Sequence, residues 1–211
     1  MSADTTPQSA AESSSRRLYV YNSGFLTQSR IKRILSLAGW DVTIGRPGDK
    51  DWIGVWGNAP SAQRGTAVAE TRGSAILRVE DAFLRSIHPG RIEREPPMGL
   101  LLDQTGLHFD AARPSDLETL LLENPLDDTS LLNDARGMMT RMIHNRLSKY
   151  SAYDAQLPLP DPGYVLVLDQ AEGDASVSAS VPGENTARAR FAEMLYYAQT
   201  EHPTARILIR S

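Results

Sequence analysis

The stretch from Leu18 to Val79, LYVYNSGFLTQSRIKRILSLAGWDVTIGRPGDKDWIGVWGNAPSAQRGTAVAETRGSAILRV, decides the fold class. Four short apolar runs punctuate it: Leu18-Tyr19-Val20-Tyr21, Trp40 to Ile44, Ile53-Gly54-Val55-Trp56-Gly57 and Ala75 to Val79. Each has strand length, and each is rich in the β-branched and aromatic residues that suit a pleated, half-buried surface. Between the first two, Ile31, Ile34, Leu35 and Ala38 recur at helical spacing from Gln28 to Leu37, and Gly39 follows where a left-handed C-terminal cap belongs. Between the third and fourth, Pro60-Ser61 starts a helix that runs through Ala67 to Glu70 and ends at Arg72-Gly73. Strand–helix–strand order of this kind predicts an α/β fold with a largely parallel sheet.

Working outward, Met98 to Leu102 and Leu107-His108-Phe109 read as a fifth and sixth strand, joined as a hairpin at Gln104-Thr105-Gly106. Pro114-Ser115-Asp116 opens a helix to about Glu123. Asp127 to Ser130 opens a longer one, with Leu131, Leu132, Ala135, Met138, Met139, Met142 and Ile143 on one stripe. A methionine stripe at this spacing predicts core packing. Leu157-Pro158-Leu159-Pro160-Asp161-Pro162-Gly163 stops both helix and strand and reads as a linker over 157–163. The first domain is then 17–156. Past the linker, Tyr164 to Leu168, a helix over Asn185 to Thr200 and Ala205 to Ile209 begin a second α/β unit over 164–211, too short a stretch to complete a domain. Residues 1–16, rich in Ser, Thr and Ala, read as a disordered tail.

With 211 residues, 22 Lys plus Arg and 26 Asp plus Glu, the chain carries a net charge of −4. That balance disfavours a nucleic-acid partner, which needs a basic stripe. Zero cysteines exclude a disulfide framework, thiolate metal sites and thiol nucleophiles. No apolar run approaches the 18 or so residues of a membrane span, and the N-terminus has no secretion-signal pattern, so a cytoplasmic location is expected. There is no G-x-G-x-x-G loop, Walker loop, H-E-x-x-H or G-x-S-x-G elbow, and the four histidines are scattered. Metal and nicotinamide chemistry are therefore disfavoured.

In open α/β sheets ligands gather beyond the carboxyl ends of the strands. Three such ends are polar here: Gly57 to Ser61, Glu80 to Ser86, and Asp169 to Ser176. Asp81 and Asp169 read more readily as turn or cap residues than as site residues. Asp174 follows Gly173 far from an obvious helix start, and suits a general base or a nucleophile towards a sugar centre. Arg78 and Arg85 suit an anionic substrate, or an ion pair with Glu80 or Asp81.

Read in order, Val55-Trp56-Gly57 with Pro60-Ser61, Arg78-Val79-Glu80-Asp81-Ala82-Phe83-Leu84-Arg85-Ser86, and Pro96-Pro97-Met98-Gly99-Leu100-Leu101-Leu102-Asp103 with Gly106 and Phe109-Asp110-Ala111 form a series. Leu147-Ser148-Lys149-Tyr150 and Val165-Leu166-Val167-Leu168-Asp169-Gln170, with Asp174 and Ser176-Val177, extend it. The series resembles the capsule polysaccharide biosynthesis and export family, whose members include retaining β-Kdo transferases. The resemblance runs from about Leu18 to the C-terminus, with Ala82 where the family usually has Gly and Ser151 where it usually has Asn.

The resemblance implies a GT-B-like fold: a Rossmann-like N-terminal domain and the start of a truncated second α/β domain. It implies a glycosyltransferase that adds β-Kdo from CMP-Kdo to a lipid-linked glycan acceptor, with no cofactor and no metal. The motif D-Q-x-x-x-D-x-S places the catalytic nucleophile at Asp174. Glu80, Asp81, Arg85, Ser86, Gln170 and Ser176 are the expected substrate-binding residues around it. The family continues past the last strand with a His-Pro motif and a full nucleotide-binding domain, so these 211 residues alone are expected to be inactive. Partners consistent with the resemblance are a capsule assembly or export complex and, through Arg16-Arg17 or Arg30-Ile31-Lys32-Arg33, a peripheral contact with the inner membrane. The competing readings are a non-catalytic binding or assembly component of capsule export, and a carboxylate glycosidase. One loop carboxylate without a placed acid partner falls short of the pair a glycosidase needs.

Overall fold

The computed structural model describes residues 15–89, 95–154, 156–171, 174, 176–177 and 187–210. The expected tail falls mostly outside them, as do Glu172, Gly173 and Ala175 beside Asp174.

Five strands make the main sheet: β1 (Arg16–Val20), β2 (Trp40–Thr43), β3 (Trp52–Trp56), β4 (Ala75–Asp81) and β5 (Leu100–Asp103), in the order β2-β1-β3-β4-β5. The first four run parallel, and β5 is antiparallel to β4, with Arg78 opposite Asp103. Strand alternation sorts the side chains onto two faces. Leu18, Val20, Leu77 and Val79 are buried under α1 (Ser23–Thr27) and α2 (Ser29–Leu37), against Phe25, Ile31 and Leu35. Tyr19, Ile53 and Val55 are buried on the opposite face against Ala62 and Ala69, the latter on α3 (Gln63–Arg72). Gly65 lets α3 approach closely, since a Cβ there would stand 2.7 Å from Val55 Cγ1.

The connection from β1 leads leftward to β2 and that from β3 rightward to β4. The loops after β1 and β3 therefore part at a topological switch point, where such sheets open a crevice. Asn22 shapes this opening. Its Oδ1 accepts from Gly24 N at 2.8 Å, capping α1, and its Nδ2 donates to Ser61 Oγ at 2.9 Å. The expected helix from Gln28 thus has a short forerunner, with the break at extended Gln28. Gly39 and Gly73 take the left-handed conformation expected of helix-ending glycines, at φ +80° and +63°.

The expected sixth strand at Leu107-His108-Phe109, and its hairpin, do not form; those residues are a turn. The reason lies at Asp103, only 2 % exposed. Its Oδ1 accepts from Thr105 N (2.9 Å), Thr105 Oγ1 (3.2 Å) and Gly106 N (2.7 Å), and its Oδ2 from Asp116 N (2.9 Å). The carboxylate winds the chain around itself and delivers it to α4 (Asp116–Glu123). There Ser115 and Glu118 make a reciprocal capping box.

α5 (Thr129–His144) forms where the periodicity predicts, capped by Asp128 on Ser130 N and Leu131 N. Its methionine stripe is not core, however: Met138 and Met139 are 51 % and 54 % exposed and Ile143 78 %. Helical spacing identifies an apolar face but not what covers it, and no described residue buries this one. Beyond the irregular 157–163 stretch, β6 (Tyr164–Leu168) and β7 (Arg206–Arg210) pair in parallel around α6 (Ala187–Glu201).

Replacing Asp103 by Ala takes the acceptor from three backbone N–H groups, those of Thr105, Gly106 and Asp116, while the Thr105 hydroxyl keeps Asp116 at 2.7 Å, an expected loss of about 3 kcal/mol. Urea denaturation measures it, and Ser115→Ala, which removes the cap alone, is expected to cost about 1 kcal/mol.

Candidate active site at the carboxyl edge of the main sheet

The carboxyl end of β4 supplies Glu80 and Asp81, and the loop beyond supplies Arg85 and Ser86. Gly57, at the end of β3, makes room for Glu80. A Cβ on Gly57 would lie 1.7 Å from Glu80 Oε1, and its φ of +47° also favours glycine. Gly57 is further fixed by its N–H, which donates to Val79 O at 2.9 Å, and by its carbonyl, which accepts from Arg78 at 3.0 Å. Arg78 is thus a brace for the β3 turn.

Arg85 pairs with Asp81, Nε lying 3.3 Å from each carboxylate oxygen, with both side chains largely buried. The same guanidinium donates to Ser86 Oγ (2.8 Å) and to Glu95 O. Ser86 Oγ in turn donates to His88 O at 2.7 Å. Three of the expected substrate-binding residues therefore hold one another in place. Arg85 also borders a cavity of about 160 Å³ with Asn22, Phe25, Gln28, Trp56 and Pro97, at the switch point itself.

Lys149 joins this edge through its backbone. Its carbonyl accepts from Arg85 N and Ser86 N at 3.1 and 3.3 Å, Ser86 bridges Tyr150 in parallel, and Ala152 N donates to Ile87 O at 2.8 Å. Lys149 was legible only as part of a motif; nothing in its spacing marks it as a site residue.

Asp174 follows β6 and lies within electrostatic reach of Glu80 and Lys149. Its Oδ1 accepts from Ser176 N (2.8 Å) and from Ser176 Oγ (2.6 Å). Ser176 and Val177 are helical, so Asp174 is a helix cap after all, which its spacing concealed. Gln170 is exposed at the end of β6, its backbone N–H donating to the Asp169 carboxylate at 2.9 Å.

Two carboxyls here are pushed in opposite directions. Burial raises Glu80 above the usual glutamate range, with the Asp81 and Asp174 charges adding and an Asp81 hydrogen bond and Lys149 opposing. The Ser176 hydroxyl lowers Asp174 below the usual aspartate range, helped by backbone N–H groups and Lys149 against partial burial. Near neutral pH Asp174 is an anion with its charge held in place, whereas Glu80 binds a proton more readily. Carboxyls whose environments separate their proton affinities are suited to distinct chemical roles. Among the described residues no group of three or more His, Cys, Asp or Glu could hold a metal.

Glu80 stabilises the fold fully below the ordinary glutamate pKa, and that contribution is lost as pH rises through its raised value. Asp174 contributes above the ordinary aspartate pKa, and loses it as pH falls through its lowered value. Carboxyl ¹³C NMR titration is expected to show midpoints displaced in these two directions. Lys149→Ala is expected to raise both, and Asp174→Asn to lower that of Glu80.

Comparison with known proteins supplies the context for this edge. Residues 51–161 match the family described as "Capsule polysaccharide biosynthesis protein", a span that takes in Gly57, Glu80 to Ser86 and Lys149 and ends before Asp174. The chain is 36 % identical over 140 residues to the lipopolysaccharide-processing protein LpsZ of Rhizobium meliloti, covering 64 % of this chain and 31 % of that protein. It is 30 % identical over 162 residues to the capsule polysaccharide modification protein LipA of Neisseria meningitidis serogroup A, covering 74 % and 22 %. The chain thus spans less than a third of the length of either relative. Among solved structures, Thermosulfurimonas dismutans KpsC, a β-Kdo 2,4 transferase, superposes with a TM-score of 0.78 at 25 % identity, over 93 % of this chain and 60 % of that one. The β-Kdo 2,7 transferase of the same organism superposes at 0.62 and 22 % identity, over 92 % and 60 %, a likeness of fold. The α/β architecture is accordingly GT-B-like, and the chain belongs to the capsule polysaccharide biosynthesis protein family.

Proposed function

We propose that this chain carries the acceptor side and the nucleophile of a retaining glycosyltransferase, moving β-Kdo from CMP-Kdo to a lipid-linked glycan acceptor. The observation that carries the reading is the Asp174 carboxylate, held by the Ser176 N–H and hydroxyl at 2.8 and 2.6 Å and lowered in pKa, within electrostatic reach of Glu80, whose pKa is raised, and of Lys149. The likeness to a β-Kdo transferase over 93 % of the chain supplies the substrate class.

In the first step an Asp174 carboxylate oxygen bonds to the anomeric carbon of Kdo, and the bond from that carbon to the CMP phosphate oxygen breaks. The electron pair leaves with CMP. The Ser176 hydroxyl and the Lys149 charge hold the carboxylate ionised for the attack. In the second step the acceptor hydroxyl oxygen attacks the same carbon, Asp174 departs as carboxylate, and the hydroxyl proton passes to Glu80. Two inversions give net retention. Neither step draws on a metal or other cofactor. Asp81, Arg85 and Ser86 position the β4 loop, with the cavity beside Arg85 left for a polar group of the substrate. Gln170 and Ser176 flank the nucleophile. The site would work at the cytoplasmic side of the inner membrane as part of a peripheral enzyme within a capsule assembly complex; no described helix is long and apolar enough to cross a membrane.

The test is CMP-Kdo transfer by the complete protein. Asp174→Asn is expected to lower turnover by about 10³-fold or more, with an adduct of one Kdo on the unmodified protein detectable by intact mass. Unchanged turnover, or inversion at the anomeric carbon, overturns the double displacement. Glu80→Gln is expected to flatten the basic-assisted part of the pH profile while leaving adduct formation.

A further inference from the structure

A second recess runs along the outer face of α3, from Tyr21 and Gly45 at the carboxyl edge of the sheet to Arg72 just before the start of β4. It is a groove of about 430 Å³ between the α3 face and the loop after β2, bordered by Tyr21, Arg46, Pro47, Arg64, Val68 and Arg72. Three arginines border it and no carboxylate does, in a chain whose net charge is −4. None of the three makes an ion pair among the described residues; the ion pairs there are Arg17–Asp51 and Arg85–Asp81. Of the two acids in the adjoining loop, Asp49 and Asp51, neither borders the groove, and Asp51 is committed to Arg17 and to Gly48 N at 3.0 and 2.8 Å.

The walls are braced. Tyr21 OH donates to Gly45 O at 3.1 Å, and Ser74 Oγ donates to Gly48 O at 3.3 Å, so the loop is tied to the end of β1 and to the turn after α3. Pro47 is buried, and the Arg64 guanidinium lies 5.6 Å from the Tyr21 ring centroid. Cation–π contact of this kind restrains a guanidinium while leaving its N–H edge available. Several planar guanidinium forks on a partly apolar floor match the tetrahedral oxygens of a phosphate ester better than they match a lone ion in water.

We propose that the Arg46, Arg64 and Arg72 groove binds a phosphate ester, and that it seats the phosphate-bearing part of the acceptor while the reacting end lies at Glu80 and Asp174. The second clause rests on the transferase reading; the first does not. Strand order separates the Tyr21 and Arg46 end of the groove, beyond the ends of β1 and β2, from Glu80, at the end of β4, by up to three strand spacings, about 14 Å. A phosphate-linked chain of a few sugar units bridges that span.

Direct binding tests this without turnover. The probes are glycerol 3-phosphate in solution, followed by amide NMR and calorimetry, and sedimented vesicles of phosphatidylglycerol in phosphatidylcholine. Wild type is expected to bind glycerol 3-phosphate with shifts at Gly45 to Gly48 and along α3, and Arg46→Ala with Arg64→Ala is expected to weaken it at least tenfold. Both side chains are exposed, so the double variant keeps its fold, as its amide spectrum will report. Arg64→Lys, keeping the charge but not the fork, is expected to fall between. Binding to both probes assigns the site to phosphate esters generally; binding to vesicles alone, lost in the double variant, assigns it to a lipid headgroup. No binding of either probe overturns the proposal. So does binding that survives Arg46→Ala with Arg64→Ala, or vesicle binding that is lost only when Arg30, Lys32 and Arg33 are replaced. Asp174→Asn is expected to leave phosphate binding intact, so a failed transferase reading remains distinguishable from a failed groove.

Discussion

The turn at Gly57 is the constraint on which the candidate site depends. Its Cα faces the Glu80 carboxylate, its N–H closes onto Val79, its carbonyl receives Arg78, and its positive φ swings the chain towards Pro60. A side chain there would displace the Glu80 carboxylate and would be strained by the φ of +47°. Because these ends adjoin the topological switch point, one residue sets both the mouth of the crevice and the carboxyl at its edge. Asn22 makes the matching brace from the β1 side by reaching Ser61.

A second feature ties distant sequence into this edge. The backbone from Lys149 to Ala152 lies alongside Arg85 to Ile87 as a short parallel strap. It brings an ammonium group to two carboxyls separated by almost a hundred residues of sequence. The Arg85–Asp81 pair beneath the strap is well shielded, and it also bonds Ser86 and the Glu95 carbonyl. A buried pair with its hydrogen bonds filled orders a loop more than it adds net stability. That accords with a role in holding the β4 loop still.

Much of the sheet was legible because hydrophobic period and punctuation agree: apolar runs, the Gly39 and Gly73 stops, and the Ser115 cap each say the same thing as their neighbours. Where reading failed, a side chain redirected the backbone or a face lacked a cover. Asp103 reads as an ordinary strand end, yet four hydrogen bonds to one carboxylate turn an expected hairpin into a helix approach. The stripe of α5 has core periodicity, but periodicity is a property of one helix and burial a property of two surfaces. Within the site, Asp174, Glu80 and Arg85 stood out by lying beyond strand ends. Lys149 and the arginine groove did not, because their partners come from strand ends, loops and helices far apart in sequence.

The two central carboxyls belong to different sheets. Glu80 ends a strand of the five-stranded sheet, and Asp174 follows a strand of the two-stranded one. Each is locally well made: Glu80 by burial against Gly57, Asp174 by its own cap with Ser176. Their mutual influence, with Asp174 raising the Glu80 pKa, arises only from how the sheets are held together. Coulomb energy falls with distance, and falls faster once water enters between the charges. Burial dominates the raised proton affinity of Glu80 and the Asp174 charge adds only the smallest contribution, while the proton affinity of Asp174 is governed mainly by the Ser176 hydroxyl. Two carboxyls whose proton affinities are set by different local causes, burial for one and a neighbouring hydroxyl for the other, are suited to separate chemical roles.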